Sequence, residues 1–363
     1  MAYSRKYFAP LALVVMAALT FVRCAKEPSE SEQKNELQLI KSTVKVHFPN
    51  AQPIEFNDSS MWLISHHENT SGHIAKPQDE SYVEFSYHGQ LLPVSRSVVY
   101  QTTDSLKAHL LGAFAATTHY APMFSYYHKD YMQVALHRAL GMMSVGDSLT
   151  VLSASWHAFG SAGTTGVSAN TPVIFTVKLS EIVANADSAL ARERRMVEKY
   201  VNDYNSNSSN SAKFVPAVDS TGTEQAGIYV CYVDTVPRND TVLCAQTGET
   251  LSLKYSGYYL RDGFLLDSNI GKDATGAGWS VDTTSTTSTY QTYYSHTFSK
   301  APLSSTSIKA FDVALLNVAV GSKVEVVFTS EYGYGAAGTT TNASRPIYPY
   351  TPLRFYISFE SIQ

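Results

Sequence analysis

The feature that most limits what this chain can become is a series of landmarks that occurs twice at a nearly constant spacing. Tyr87 matches Tyr255 at an offset of 168, Gly146 matches Gly321 and Phe159 matches Tyr334 at 175, and Phe175 matches Phe355 at 180. A drift this small over four landmarks, absorbed in loops, is expected of a duplicated domain rather than of chance. In the later copy, Ile308, Phe311, Leu315, Leu316 and Val318 fall at helical spacing, and Val320-Gly321-Ser322 ends the helix they predict. Residues 323–328 read as a strand, an aromatic-glycine loop follows (Tyr332, Gly333, Tyr334, Gly335, Gly338), and PIYPYTPLRF reads as a closing strand. The earlier copy runs through predicted strands at 61–65, 82–87 and 98–102, a helix at 132–143, a strand at 148–153, a loop holding His157, Phe159, Gly160 and Gly163, and a strand at 172–179.

That order of elements in 307–355 resembles the FKBP-type peptidyl-prolyl isomerases. The YSG of Tyr255-Ser256-Gly257 and the DGFLLDS of 262–268 resemble the same family's first central strand and the strand after it, so the likeness covers most of 248–363. It implies an α+β chain with two FKBP-like domains, each a curved antiparallel sheet wrapped around a short helix. The division expected from it is a signal peptide at 1–24, a tether and N-terminal helix at 25–60, a degenerate FKBP-like domain at 61–186, a connecting helix and linker at 187–226, and an isomerase domain at 227–363.

Proline isomerisation needs no nucleophile, metal or proton relay, and no cofactor is expected. The barrier is the partial double bond of the amide, about 18–20 kcal/mol, and it falls when the bond is twisted out of resonance. A twisted amide separates less charge than a planar one, so an apolar pocket that excludes water favours the transition state. One donor holding a carbonyl of the peptide fixes its orientation. By position, the resemblance assigns Tyr255, Leu266, Asp267, Phe298, Ile308, Phe311, Tyr334, Ile347 and Phe355 to such a pocket. Phe311 would be the floor under the proline ring, Tyr334 the carbonyl donor, and Asp267 a polar group at the wall, hydrogen-bonded to Tyr255. Three positions depart from the family pattern: Phe311 replaces a Trp, Leu266 an aromatic, and Thr339 a frequent His. In the first copy Gln101 stands for Asp267, Phe159 for Tyr334 and Leu136 for the floor, while Tyr87, Tyr100, Val167 and Phe175 keep their apolar character. That copy is expected to serve binding, scaffolding or core packing alone.

The remaining signals concern location. Arg5 and Lys6 precede the apolar run 8–22, which suits a signal-peptide core and is short for a spanning helix, and Cys24 follows before the polar AKEPSESEQ. This resembles a bacterial lipoprotein signal with Cys24 as the lipidation site, anchoring the chain to the cell envelope at the outer membrane, periplasmic or surface-exposed. Arg23 stands where a small residue is usual, so an ordinary cleaved signal or an uncleaved anchor stays open. Cys231 and Cys244 flank a Pro-Arg-Asn-Asp turn; in a symmetric hairpin they would oppose each other and form a disulfide, the alternative being two reduced thiols. Lys and Arg number 27 against 31 Asp and Glu, a net charge of −4 with no basic block, so nucleic acid has no electrostatic footprint. The histidines show no HExxH or comparable metal-ligand spacing. The expected partners are proline-containing segments of exported proteins and the membrane through the lipid. The rival function is a non-catalytic scaffold or binding subunit of an outer-membrane protein complex.

Overall fold

The computed structural model describes residues 28–54, 59–70, 75–92, 99–164, 166–237, 243–282, 284–299 and 308–363. Cys24 and the apolar run before it lie outside the described residues. The chain divides into two units: residues 1–114 with 120–186, and residues 115–119 with 187–363. It is an α+β structure with one antiparallel sheet and a few helices in each unit.

In the first unit, α1 (Glu30–His47) precedes β1 (Gln52–Pro53), β2 (Met61–His67), β3 (Tyr82–Leu91) and β4 (Val99–Thr102). Next come α2 (Ser105–Leu110), β5 (Met123–Tyr126), α3 (Val134–Met142), β6 (Ser148–Ser153), a 3-10 turn (Ser155–His157) and β7 (Val173–Val183). The strand order is β1-β2-β6-β7-β3-β4, with β5 also on β3. The second unit begins with α4 (Ala186–Ser206), β8 (Phe214–Val218), β9 (Glu224–Asp234), β10 (Thr250–Tyr259), β11 (Leu265–Ser268) and α5 (Gly271–Gly276). It continues with β12 (Tyr294–Thr297), α6 (Lys309–Leu315), β13 (Lys323–Phe328), a 3-10 turn (Ser330–Tyr332) and β14 (Leu353–Ile362). Its order is β8-β9-β13-β14-β10-β11, with β12 also on β10, so each strand has a counterpart in the first sheet.

Each sheet is covered on both faces. On the inner face of the first, Ala135, Leu136, Ala139 and Leu140 of α3 pack on Phe85, Val151, Phe175 and Val177. On the inner face of the second, Phe311, Ala314 and Leu315 of α6 pack on Val324, Val326, Phe355 and Ile357. The outer faces carry the longer helices. Ile40 and Val44 of α1 sit in a cluster with Leu152 and Ile174, and Val197 and Val201 of α4 with Phe214, Cys231 and Val327. Strand residues alternate between these two clusters, as a period of two requires.

Several expectations are corrected here. The tether expected at 25–35, ahead of a helix at 36–46, is already helical from Glu30, because Ser29 and Glu32 form a capping box that satisfies the first free amides. Of residues 187–226, read as a connecting helix that joins the two domains or belongs to the second, and a linker, the helix α4 lies in the second unit, and the part read as linker contributes β8 to its sheet. The disulfide is absent: Cys231 and Cys244 are free thiols. Their strands are not hairpin partners, since β9 has β8 on one edge and β13 on the other, with Cys231 opposite Phe214 and Glu325. Cys244 instead bridges Ala319.

Candidate functional site

The cleft of the second unit is built where β10 and β14 run antiparallel beneath α6. Gly257 lies opposite Phe355 in this ladder, and a Cβ on Gly257 would come within 2.5 Å of the Phe355 ring. The glycine therefore lets the phenylalanine lie flat across the strand. The first sheet has the same pair, Gly89 opposite Phe175. Phe355 meets Phe311 edge-on at 5.2 Å between ring centres, within the favourable range for aromatic pairs. Phe311 is 2% exposed and forms the bottom of the cleft. Its helix is tied down by the next residue: Asp312 Oδ1 bonds His296 Nε2 at 2.8 Å and accepts the Ser299 N–H at 3.0 Å.

Tyr255 stands on β10 two residues before Gly257. Asn269 accepts the Tyr255 N–H at 2.7 Å and donates to the Leu253 carbonyl at 3.0 Å, filling the gap left where β11 and β12 share one edge of β10. The Tyr255 hydroxyl donates to Asp267 Oδ2 at 2.6 Å, and Asp267 Oδ1 accepts the Ser268 N–H. Burial, with Asp267 next, raises the Tyr255 phenol above its ordinary range, so it stays a donor. Tyr334, on the loop after β13, is likewise raised by burial and by the nearby Asp267 and Tyr294. Both phenols keep their protons at neutral pH.

These side chains share a cleft of about 780 Å³. Eight of the nine pocket residues named from the sequence line it: Tyr255, Leu266, Asp267, Ile308, Phe311, Tyr334, Ile347 and Phe355. Phe298 does not. It is 1% exposed and packed in the core just after β12, and Tyr294, four residues earlier at the start of that strand, occupies the wall in its place. The Tyr294 ring stands edge-on to Tyr255 at 5.4 Å and to Phe311 at 6.1 Å. The remaining wall comes from the loop between Thr339 and Ile347, which supplies Thr341, Asn342, Ala343 and Arg345. Gly338 enters that loop at φ 63°, where a Cβ would meet the Ile347 carbonyl at 2.1 Å.

The first unit repeats the frame with Phe159 in place of the Tyr334 phenol. Tyr87, Leu136, Val167 and Phe175 are all buried, with Phe159 partly so. Met123 holds the register position of Tyr294, since it pairs with Phe85 as Tyr294 pairs with Leu253. Tyr100 and Gln101 lie on β4, and their side chains are outside the description. The loop is shorter too: the bridged pair Thr164 and Val167 is three residues apart, whereas Thr339 and Ile347 are eight apart. Those five residues account for the drift from 175 to 180 between the matched landmarks.

Set against known families, this geometry has a counterpart. Residues 244–360 match the FKBP-type peptidyl-prolyl cis-trans isomerase family. The FKBP-type domain thus takes in the cleft from Tyr255 to Phe355. Solved structures similar to the chain include the three FKBP domains of wheat FKBP73, at 14% identity and a TM-score of 0.30, covering 84% of this chain and 96% of that one. A second is the peptidyl-prolyl cis-trans isomerase of Pseudomonas syringae pv. tomato, at 18% identity and a TM-score of 0.31, covering 43% of this chain and 97% of that one. No curated protein matches the chain. Among the described residues no group of three or more His, Cys, Asp or Glu is placed to hold a metal ion, and no helix is long and apolar enough to cross a membrane.

Proposed function

We propose that the protein is a peptidyl-prolyl cis-trans isomerase and folding helper at the bacterial cell envelope, with its activity in the FKBP-type domain. The observation that carries this is the cleft itself: an aromatic bottom and walls with a phenol on the loop at its rim. A proline ring seated on Phe311 is shielded from water, which favours the less polar twisted amide over the planar one. Tyr334 remains protonated and donates to a carbonyl of the bound peptide, holding one side of the rotating bond. Asp267 is fixed by Tyr255 and keeps the wall rigid. Tyr294 takes the wall position first given to Phe298.

The test is isomerisation of a prolyl peptide by the full chain. Wild-type protein accelerates the exchange well above background, Tyr334→Phe loses roughly tenfold, the scale of one donor hydrogen bond, and Asp267→Ala loses less. Wild-type exchange at the uncatalysed rate would overturn the reading. The substrate class is proline-containing segments of exported proteins. Cys24 is the proposed lipidation site; mass spectrometry of envelope-extracted protein should find a diacylglycerol-modified N-terminal Cys24, and an unmodified Cys24 in that material would remove the lipid anchor from the proposal.

A second reading has its own support, because Phe311 is nearly closed over and the first unit has Phe159 in place of Tyr334. In it the chain is a non-catalytic scaffold or binding subunit of an outer-membrane protein complex. Background isomerisation together with stoichiometric co-purification in one envelope assembly would favour it. The first unit is proposed under either reading to bind or to scaffold.

A further inference from the structure

A carboxylate hidden under the aromatic-glycine loop has no part in the cleft. Glu193 lies on the buried stripe of α4, four and eight residues before Val197 and Val201, and is 0% exposed. An ionised carboxyl in such a place is costly unless it is hydrogen-bonded. Both of its oxygens are used by one residue: the Ser330 N–H donates to Oε1 and the Ser330 hydroxyl to Oε2, the latter at 2.8 Å. Ser330 in turn accepts the Gly333 N–H at 2.9 Å and the Gly335 N–H at 2.8 Å. Those two amides flank Tyr334. A chain of hydrogen bonds therefore runs from the outer helix through Ser330 to both sides of the tyrosine on the cleft rim.

We propose that Glu193 is a positioning residue for Tyr334, holding the loop through Ser330 so that the phenol meets the bound carbonyl. The first unit has the same construction. Glu36 on α1 accepts the Ser155 N–H at 2.5 Å and the Ser155 hydroxyl at 2.8 Å, and Ser155 accepts the Ala158 and Gly160 amides on either side of Phe159. Glu36 too precedes two buried apolar residues, Ile40 and Val44, by four and eight. The arrangement occurs twice, but only in the second unit does it carry a hydroxyl. Glu36 thus serves as an internal control.

The bonds to Ser330 favour ionised Glu193 while burial favours the acid, and burial dominates, raising the carboxyl to about 7. The charged groups facing it are Glu331 on the turn, which adds to the rise, and Arg194 on its own helix, which opposes it. These two pair with each other at 3.0 Å. The loop's fastening thus changes protonation near neutral pH.

The effect on activity rests on the isomerase reading; the effect on the loop does not. The experiment compares the full chain as wild type, Glu193→Ala, Glu193→Gln, Ser330→Ala and Glu36→Ala. Hydrogen exchange at residues 330–338 is expected to rise roughly tenfold or more in Glu193→Ala, less in Ser330→Ala, and little in Glu193→Gln, whose amide can still serve both Ser330 groups. Prolyl isomerisation is expected to fall roughly tenfold in kcat/KM for Glu193→Ala, to persist in Glu193→Gln with a flattened pH profile around 7, and to be unchanged in Glu36→Ala. Unchanged exchange in Glu193→Ala overturns the proposal. So does an equal loss of activity in Glu36→Ala, which would mean general destabilisation. A wild type without isomerase activity removes the function proposed above, and the exchange data alone then decide the role of Glu193. If Glu193→Ala does not fold, Ser330→Ala against Glu193→Gln decides by the same measurements.

Discussion

The two units share a frame and differ in what is mounted on it. Strand order, the helix on the outer face, the Glu–Ser fastening of the 3-10 turn and the glycine opposite a phenylalanine recur in both. The features in common are those where backbones approach closely or a buried polar group must be satisfied, and a single wrong atom there is expensive. The differences include Leu136 against Phe311, Gln101 against Asp267, Met123 against Tyr294, Phe159 against Tyr334, and the length of one loop. Each of these changes is tolerated by the frame. The contrast shows how the lining of a cleft can be changed on one scaffold through a few side chains and five residues of loop.

The strongest way to break the comparison is Phe311→Ala, which removes the floor and leaves a void under Phe355 and Tyr255. The expected cost is about 3–5 kcal/mol in denaturant unfolding, with isomerisation lost. Phe311→Leu, which installs the first unit's residue, should cost less stability while still lowering activity; equal activity would remove the aromatic floor from the mechanism.

Next is the pH dependence. The folded-state value of Glu193, about 7, lies above its ordinary 4.5, so folding favours the protonated form. That contribution is fully present below pH 4.5 and is lost as pH rises through 7, amounting to about 3 kcal/mol over the window. Unfolding of wild type against Glu193→Gln should diverge by that trend between pH 5 and 8. Parallel curves would remove Glu193 as the cause. Glu36 is also raised by burial, so Glu36→Gln should show the same sign in the first unit.

Gly257→Ala tests the close approach. Its Cβ would press on Phe355, and the expected loss is about 1–3 kcal/mol with a reshaped cleft. An unperturbed stability would mean Phe355 has room to turn. The smallest effect is Tyr255→Phe, which leaves Asp267 without its 2.6 Å donor at an exposed site. A cost near 1 kcal/mol and a modest rise in KM are expected, both read from the same kinetic and unfolding assays.

Much of the frame was legible because strands and helices announce their periodicity. The strands at 148–153 and 323–328 coincide with their expected bounds, since Gly146 and Gly321 turn the chain into each at positive φ, although the helices before them end sooner, at Met142 and Leu315. The start of α1 was missed although Ser29 and Glu32 carried the capping signal, outweighed by the polar composition around them. Tyr255, Leu266, Asp267, Phe311 and Phe355 reach one cleft because they lie on elements whose register the pattern fixes, and Tyr334 and Ile347 reach it from loops that the glycines mark. Phe298 failed because the Ser- and Thr-rich stretch before it offers no register, and the slip of four residues moved past the end of β12 into the core. The buried glutamates had a readable sign, an acid heading an apolar stripe at four-residue spacing in both Glu36-Ile40-Val44 and Glu193-Val197-Val201. A charged residue there looks like a helix surface until its partner on a distant turn is seen.

The span from Thr339 to Ile347 is pinned at both ends by a reciprocal pair of backbone hydrogen bonds, as is its shorter equivalent from Thr164 to Val167. Closing a longer loop between fixed ends costs under about 1 kcal/mol for this difference in length. Such a site can change its guests by trimming or extending one strip of surface chain, leaving the sheet beneath it untouched.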